Sequence, residues 1–427
     1  MEEVKHLPCE IVSDILSSIC KSWFSLIEDP SFAKLQLKSR RIDPITLFFG
    51  LIRYSCWTVI KDEKMWKTRD IYLEYTFKYE KQDHYLDFII AGSCNGLLCM
   101  ISTFFLLGIV PHCHFYGTFI YNPITRECLM LPVGGGRFFG CSVGGQIGFG
   151  VDSSDMYKVI QIVKKQSFSS HVDDCGLMGE IITLGESSWR EIEIPYQSDY
   201  SQEWVFRALE RMIFMNGVLY SIIRKPTTDE VSDQPIILVF DLDDEKFLTI
   251  EFPPFIELPL YYELGLTEIK GSLALHHRLD YHHEPSILRM WLIEINKSKG
   301  NQLYHCDHIR VREIRHNVYY CFHLVGLLSN NFLLYTVVID CKTHLLVHCL
   351  EKKQFMHVQL PEAILRRFEV KSFVPSLVSP IAIACGKTKK DEVVGYSSLW
   401  ELMSSCRVHP TFSFYREICR RCSPHPN

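Results

Sequence analysis

The sequence lacks a strong charge of either sign, because 45 lysines and arginines stand against 50 aspartates and glutamates and leave a formal net charge of -5. This balance argues against a broad nucleic-acid-binding surface, which needs clustered positive charge. The N-terminal stretch MEEVKHLPCE also lacks the apolar core of a secretory signal peptide. We therefore expect an intracellular protein, in the cytoplasm, the nucleus or both, with no nucleic-acid partner.

Regular cysteine spacing is absent as well, although the chain has 17 cysteines. An odd number of scattered cysteines does not predict a disulfide framework, so we expect reduced and mostly buried thiols. Cys419 and Cys422 have no second Cys or His pair at zinc-finger spacing. Adjacent histidines in a strand point to opposite faces, and no metal ligand is predicted.

Catalytic signatures are also lacking. The sequence contains no G-x-S-x-G nucleophile elbow and no H-E-x-x-H zinc motif. The glycine-rich stretch 134–150 has neither the dinucleotide-binding spacing nor a Gly-Lys-Ser/Thr step, so we do not expect it to bind phosphate. We predict no catalytic residue, no cofactor and no enzyme activity. A catalytic propeller with an active site built from dispersed loop residues is kept as a third functional hypothesis.

One long hydrophobic run stands out. Residues 88–110, FIIAGSCNGLLCMISTFFLLGIV, carry no charge and are long enough to span a bilayer. Asn95-Gly96 in its middle is a hairpin turn signal, and β-branched and aromatic residues are frequent around it. We therefore interpret the run as two buried strands joined by a turn, and we expect no membrane partner.

From about residue 88 to residue 380, short apolar runs alternate with turns. Two sequence markers recur along this part with one period of roughly 55–60 residues. One is a turn followed by an apolar strand, as in CNGLLCM and MNGVLYS, and the other is a strand pair that closes on a hydrophobic-Pro step. Four-stranded propeller blades have this size. The predicted fold is mainly β, a propeller-like array of repeated antiparallel strands preceded by a short N-terminal α-helical segment.

The sequence thus divides into four predicted parts. They are a helical segment over 1–40, a connector over 41–87, the β domain over 88–380 and a poorly ordered tail over 381–427. Within 7–28, Ile11, Ile15, Ile19 and Trp23 form an apolar stripe at i+4 spacing. Asp29-Pro30 is interpreted as the end of this helix.

The phrases LPCEIVSDIL and CKSWFSLIEDPSF resemble the two ends of the F-box of plant-type F-box proteins. Further phrases resemble, in order, the F-box-associated domain of the same family: GSCNGLLCM, YNPITRECLMLP, GFGVDSSDMYKV, SSWREIEIP, FMNGVLYSI, VFDLDDEKF and FVPSLVSP. The resemblance covers about residues 4–380. It implies a non-catalytic substrate-recognition subunit of a Skp–cullin–F-box ubiquitin ligase, with a kelch-like or other β-propeller domain.

The resemblance also implies partners and site residues. The F-box would bind a Skp-type adaptor and through it the cullin scaffold, while the β domain would bind an unknown target protein. The implied adaptor-binding residues are Leu7, Pro8, Ile11, Ile15, Leu16, Trp23, Leu26 and Ile27. Asn122-Pro123 in YNPITRE is interpreted as turn chemistry rather than a target contact.

The middle of the F-box is missing, because Ser18 runs directly into Ile19 where the family has a further segment. The apolar stripe crosses this join, and no Gly or Pro lies between Cys9 and Asp29, which predicts one fused helix of about five turns. Two functional hypotheses therefore stay open beside the enzyme. One is a ligase subunit, and the other is a stand-alone protein-binding β module that has lost ligase coupling.

Overall fold

The computed structural model describes residues 29–39, 46–50, 54–62, 65–74, 84–106, 114–132, 134, 145–164, 177–194, 209–225, 234–251, 262–269, 271–279, 287–293, 309–311, 321–329, 332–339, 342–349, 351–352, 354–359, 369–386 and 395–396.

These residues form six four-stranded antiparallel blades. In each blade the first-named strand is the innermost. Blade 1 consists of β25 (Glu369–Phe373), β1 (Thr46–Gly50), β2 (Tyr54–Asp62) and β3 (Met65–Glu74). Blade 2 consists of β4 (His84–Cys94), β5 (Leu97–Leu106), β6 (His114–Tyr121) and β7 (Cys128–Met130). Blade 3 consists of β8 (Gly145–Val151), β9 (Tyr157–Lys164), β10 (Leu177–Thr183) and β11 (Arg190–Ile192).

The other three blades follow in chain order. Blade 4 consists of β13 (Ile213–Met215), β14 (Val218–Lys225), β15 (Gln234–Asp241) and β16 (Lys246–Glu251). Blade 5 consists of β17 (Tyr262–Ile269), β18 (Ser272–Leu279), β19 (Ile287–Ile293) and β20 (Ile309–Val311). Blade 6 consists of β21 (Cys321–Ser329), β22 (Phe332–Ile339), β23 (Lys342–Cys349) and β24 (Gln354–Gln359). Additional strands β12 (Leu209–Arg211) and β26 (Gly395–Tyr396) pair with β8 and β7.

The six blades form a closed ring. The innermost strands β25, β4, β8, β13, β17 and β21 each contact the next, and β21 contacts β25. Blade 1 closes the ring because its inner strand comes from the C-terminal part of the chain and its other three from the N-terminal part. Thr46 pairs with Phe373 and Gly50 with Glu369, so these two distant parts of the sequence are hydrogen-bonded along a full strand. The predicted propeller-like fold is confirmed.

Apolar side chains fill the space between neighbouring blades. Between blades 2 and 3 the buried core includes Leu97, Ile120, Phe149 and Ile182. Between blades 3 and 4, glycine allows the sheets to approach closely, because a Cβ on Gly148 would lie 2.7 Å from Leu219 Cδ1. Large and small residues thus interdigitate across the blade interfaces, as close packing of a protein core requires.

Residues 88–106 confirm the interpretation of the hydrophobic run as strands. β4 and β5 pair in antiparallel register on both sides of the Asn95-Gly96 turn. Among the described helices, none has the length and apolar character needed to cross a membrane.

The segment 41–87, predicted as a connector, contains β1, β2 and β3 in the structure. Their pairing with β25 places them inside the propeller rather than between two domains. The connector prediction failed because strand pairing over such a sequence distance leaves no local signal. The tail is likewise not uniformly irregular, since its described residues include the end of a short helix, α2 (Pro380–Cys385), and β26.

Asp29-Pro30 begins a helix, α1 (Pro30–Ser39), which corrects the interpretation of this pair as a helix end. The Asp29 carboxylate accepts a hydrogen bond from the Ser31 amide at 2.8 Å, which is N-cap geometry, and proline is favoured at the first helical position. The same bond, with the Ser31 hydroxyl, lowers the pKa of Asp29. Residues 1–28, with the predicted fused helix, lie outside the described residues.

Candidate functional site

The turns that join the first strand to the second and the third to the fourth lie on the same side of the ring, because alternate connections of an antiparallel blade leave at the same end. We call this side the turn side. In blade 2 it carries the Asn95-Gly96 turn and the turn 122–127. Asn95 has φ 49° and Gly96 has φ 81°, the positive values that a tight hairpin turn requires.

A segment that follows β25 crosses the turn side of blade 2. We call residues 374–386, which include α2, the strap. Asn122 Nδ2 donates to the carbonyl oxygens of Ser376 at 3.0 Å and Val378 at 2.7 Å. The Ser376 hydroxyl donates to the carbonyl of Asn95 at 2.7 Å. Both turns of blade 2 therefore bind the strap directly.

Asn122 serves the strap and its own turn together. It is fully buried, and its Oδ1 accepts from the Ile124 amide at 2.8 Å and the Thr125 amide at 3.4 Å. The interpretation of Asn122-Pro123 as turn chemistry is confirmed, and the contact with the strap is additional. The sequence signal was the co-occurrence of YNPITRE and FVPSLVSP, two phrases noted separately whose residues touch in the fold.

The strap fits closely over Gly96. A Cβ at Gly96 would lie 2.6 Å from both Ser376 Cβ and the Val374 carbonyl oxygen, closer than non-bonded carbon and oxygen atoms approach. The buried side chains of Val378 and Ala384 join the apolar core of blades 2 and 3. In addition, Ser379 caps α2 by accepting from the Ala382 amide at 3.0 Å.

Helix α1 lies against the strap. Ala33 is 3% exposed and belongs to the same apolar core as Val378. Gln36 Oε1 accepts a hydrogen bond from the Leu377 amide at 3.1 Å. By contrast, Leu35 on the other side of the helix is 64% exposed. The helix that directly follows the F-box-like phrase is therefore packed on the propeller by one face.

A charged clamp joins blades 3 and 4 on the same side. Lys158 Nζ donates to the Leu242 carbonyl at 2.6 Å, to Asp152 Oδ2 at 2.9 Å and to Glu245 Oε1 at 3.0 Å. Arg190 holds Glu245 by two hydrogen bonds, at 2.9 and 3.0 Å. The lysine lies in blade 3 and its partners lie in both blades, so the clamp fixes the angle between them.

The clamp shifts the pKa values of its members. Hydrogen bonds from Arg190 and then Lys158 lower the pKa of Glu245, although burial opposes them. Burial alone would lower the pKa of Lys158, but its hydrogen bonds to Asp152 and Glu245 outweigh burial and raise it. All members are thus charged and paired near neutral pH. Pairing of this kind indicates a structural joint rather than a reactive group.

Blades 2 and 3 have a joint of their own. Trp189 in the phrase SSWREIEIP donates its Nε1 hydrogen to the Pro132 carbonyl at 2.6 Å. Pro132 closes YNPITRECLMLP, so two further phrases touch each other. The recurring phrases of the sequence are therefore mainly contacts between blades.

Other predicted site features have different outcomes. The predicted adaptor-binding residues Leu7, Pro8, Ile11, Ile15, Leu16, Trp23, Leu26 and Ile27 all lie outside the described residues. Within the described ranges, no group of three or more His, Cys, Asp or Glu side chains is arranged to hold a metal ion. The described cysteines are free, and burial raises the pKa of the Cys94 and Cys99 thiols.

The fold and the seat on blade 2 define a six-bladed β-propeller closed by strands from both ends of the chain. The F-box associated beta propeller domain is the family whose model matches residues 46–377, from the first strand of blade 1 into the strap. The chain belongs to this family.

Relatives in Arabidopsis thaliana agree with this membership. A protein provisionally named as an F-box protein is 26% identical over 317 residues, which cover 67% of this chain and 65% of the relative. An F-box protein is 25% identical over 287 residues, 58% of this chain and 61% of the relative. Another is 28% identical over 213 residues, 47% of this chain and 45% of the relative. The chain thus spans less than two thirds of the length of each of these relatives.

Solved structures with some similarity include the hemagglutinin-neuraminidase ectodomain of parainfluenza virus 5. It has a TM-score of 0.38 at 12% identity and covers 85% of this chain and 97% of that chain. A GH32 beta-fructofuranosidase of Bombyx mori has a TM-score of 0.32 at 10% identity and covers 65% of this chain and 58% of that chain. Values this low carry no functional argument.

Proposed function

We propose that the protein is a substrate-recognition subunit of a Skp–cullin–F-box ubiquitin ligase. The observation that carries this proposal is one chain in which an F-box-like phrase, residues 7–32, leads straight into a propeller of the F-box-associated family. The names of the relatives support it. The N-terminal segment binds a Skp-type adaptor, and the propeller binds the target protein.

The mechanism is proximity and not catalysis. A target held on the propeller has a high local concentration at the transfer machinery that the adaptor and cullin bring. The protein itself supplies binding energy and position, and ubiquitin transfer belongs to other subunits. The role of Lys158, Asp152 and Glu245 as a paired joint is consistent with a scaffold of this kind.

The second candidate is a stand-alone protein-binding module. The observation in its favour is the missing segment between Ser18 and Ile19, which shortens the F-box. Such a protein binds the same target without ubiquitin transfer, and it competes with relatives that carry a full F-box.

An adaptor-binding assay with the full-length chain separates the two. We expect the wild type to retain a purified Skp-type adaptor, and Ile15→Asp to lose it, because a buried charge on the apolar stripe opposes docking. Ser17→Asp is the matched control, since it adds the same charge about 200° away around a helix. No retention by the wild type would refute the ligase proposal and leave the stand-alone module.

A further inference from the structure

Segments from both ends of the described chain meet on blade 2. Helix α1 and the strap lie on its turn side, and β26 pairs with its outer strand β7. We propose that α1 and the strap form a fixed mount, which holds the N-terminal segment 1–28 on the turn side of blade 2 instead of leaving it on a flexible tether. The proposal deepens the proposed function by naming where the adaptor sits relative to the propeller, and it rests on that function only for the adaptor.

The contact of α1 is the first support. A tether needs no buried side chain, yet Ala33 is 3% exposed in a core shared with blades 2 and 3. The Leu377 amide adds a hydrogen bond to Gln36 at 3.1 Å. The Asp29 cap defines the first turn of the helix, so the residue that ends the F-box-like phrase has a fixed place on the propeller.

The rigidity of the strap is the second support. It continues directly from β25, the strand that closes the ring. Ser376 is fully buried, and its carbonyl and hydroxyl bind Asn122 and Asn95. Both turns of blade 2 therefore hold the element on which α1 rests. The mount is thus built into the same strand pairing that closes the propeller.

Two glycines make a matched test. Gly96 and Gly271 occupy equivalent hairpin turns in blades 2 and 5, with φ of 81° and 74°. An added Cβ meets the strap at Gly96, whereas at Gly271 it meets nothing within 4 Å. Gly96→Ala and Gly271→Ala therefore share the backbone strain of alanine at positive φ, and Gly96→Ala alone displaces the strap.

Hydrogen exchange of the full-length protein reads out the mount. We expect Gly96→Ala to increase the exchange rate of the α1 amides by about tenfold or more, and Gly271→Ala to leave it unchanged. Equal rates in both variants would overturn the proposal, as would α1 amides in the wild type that exchange at the rate of an unstructured peptide.

Gln36→Ala gives a milder second variant in case Gly96→Ala does not fold. It removes the acceptor of the Leu377 amide, so we expect faster α1 exchange, while Leu35→Ala on the exposed side of the same helix leaves exchange unchanged. No difference between these two variants would contradict the mount.

Adaptor binding is measured in parallel to separate the two proposals. Protected α1 amides without adaptor binding support the mount and refute the ligase function. Adaptor binding with unprotected α1 amides supports the ligase function and refutes the mount.

Discussion

Replacement of Lys158 by methionine tests the clamp between blades 3 and 4. The residue is 7% exposed and donates three hydrogen bonds, to a backbone carbonyl and two carboxylates. Methionine keeps most of the aliphatic stem but removes the charge and all three donors. The substitution therefore changes the electrostatics of the joint more than its packing.

The expected loss follows from what remains. Removing one partner of a buried ion pair costs about 3–5 kcal/mol, because the other charge stays buried and unpaired. Here Asp152 keeps the amides of Ser154 and Met156, each at 2.9 Å, and Glu245 keeps Arg190. These bonds soften the penalty, so we expect Lys158→Met to lower the free energy of unfolding by about 3 kcal/mol, the lower end of that range.

The assay is urea unfolding followed by tryptophan fluorescence. Lys352→Met is the control, since Lys352 is exposed in the turn of blade 6 and we expect a change within about 0.5 kcal/mol. Arg190 is 45% exposed in its side chain, so Arg190→Met should cost no more than about 1 kcal/mol. A loss in Lys158→Met no larger than that in Lys352→Met would refute the account of the clamp.

Two further results are expected. Asn122→Ala removes four hydrogen bonds of a fully buried side chain and leaves the carbonyls of Ser376 and Val378 without their donor, so we expect a loss of about 2–4 kcal/mol and faster hydrogen exchange in the strap, with Thr125→Ala in the same turn as control. An equal loss in Thr125→Ala would contradict this role. Because Arg190 lowers the pKa of Glu245 below its usual 4.5, its stabilisation is full above that value and is lost as pH falls through the lowered pKa. The stability difference between wild type and Glu245→Gln should therefore shrink between about pH 7 and about pH 3, and a constant difference would show that Glu245 does not titrate in the clamp.

Local signals in the sequence predicted the blades well. The Asn95-Gly96 and Asn216-Gly217 turns have the positive φ that their residue types favour, and each joins the first two strands of a blade. These signals work because turn chemistry and strand alternation depend on neighbours in the sequence. The predicted repeat therefore corresponds to physical units of the fold.

Long-range features escaped the sequence interpretation. The pairing of β1 with β25 joins residues 46–50 to residues 369–373, and no short phrase encodes it. The role of Asp29-Pro30 was misjudged, because the same pair is compatible with the end of one helix and the cap of the next. The Lys158 clamp was missed since a single lysine in a strand reads as a solvated residue until its partners in the next blade are known.

The seat on blade 2 lies between these two cases. Its parts, the turn 122–127 and the strap, were both recognisable as family phrases. Their contact was not predictable, because Asn122 binds carbonyl oxygens more than 250 positions away along the chain. The structure thus turns conserved-looking phrases into one joint between the propeller and the helix that follows the F-box-like segment.

Sedimentation of the full-length protein with a purified Skp-type adaptor tests the central proposal most directly. The account predicts a single species with the mass of a one-to-one complex, and its loss in Ile15→Asp but not in Ser17→Asp. Two separate species at all concentrations, with the wild type folded and its α1 amides protected, would contradict the assignment of this propeller to a ubiquitin ligase.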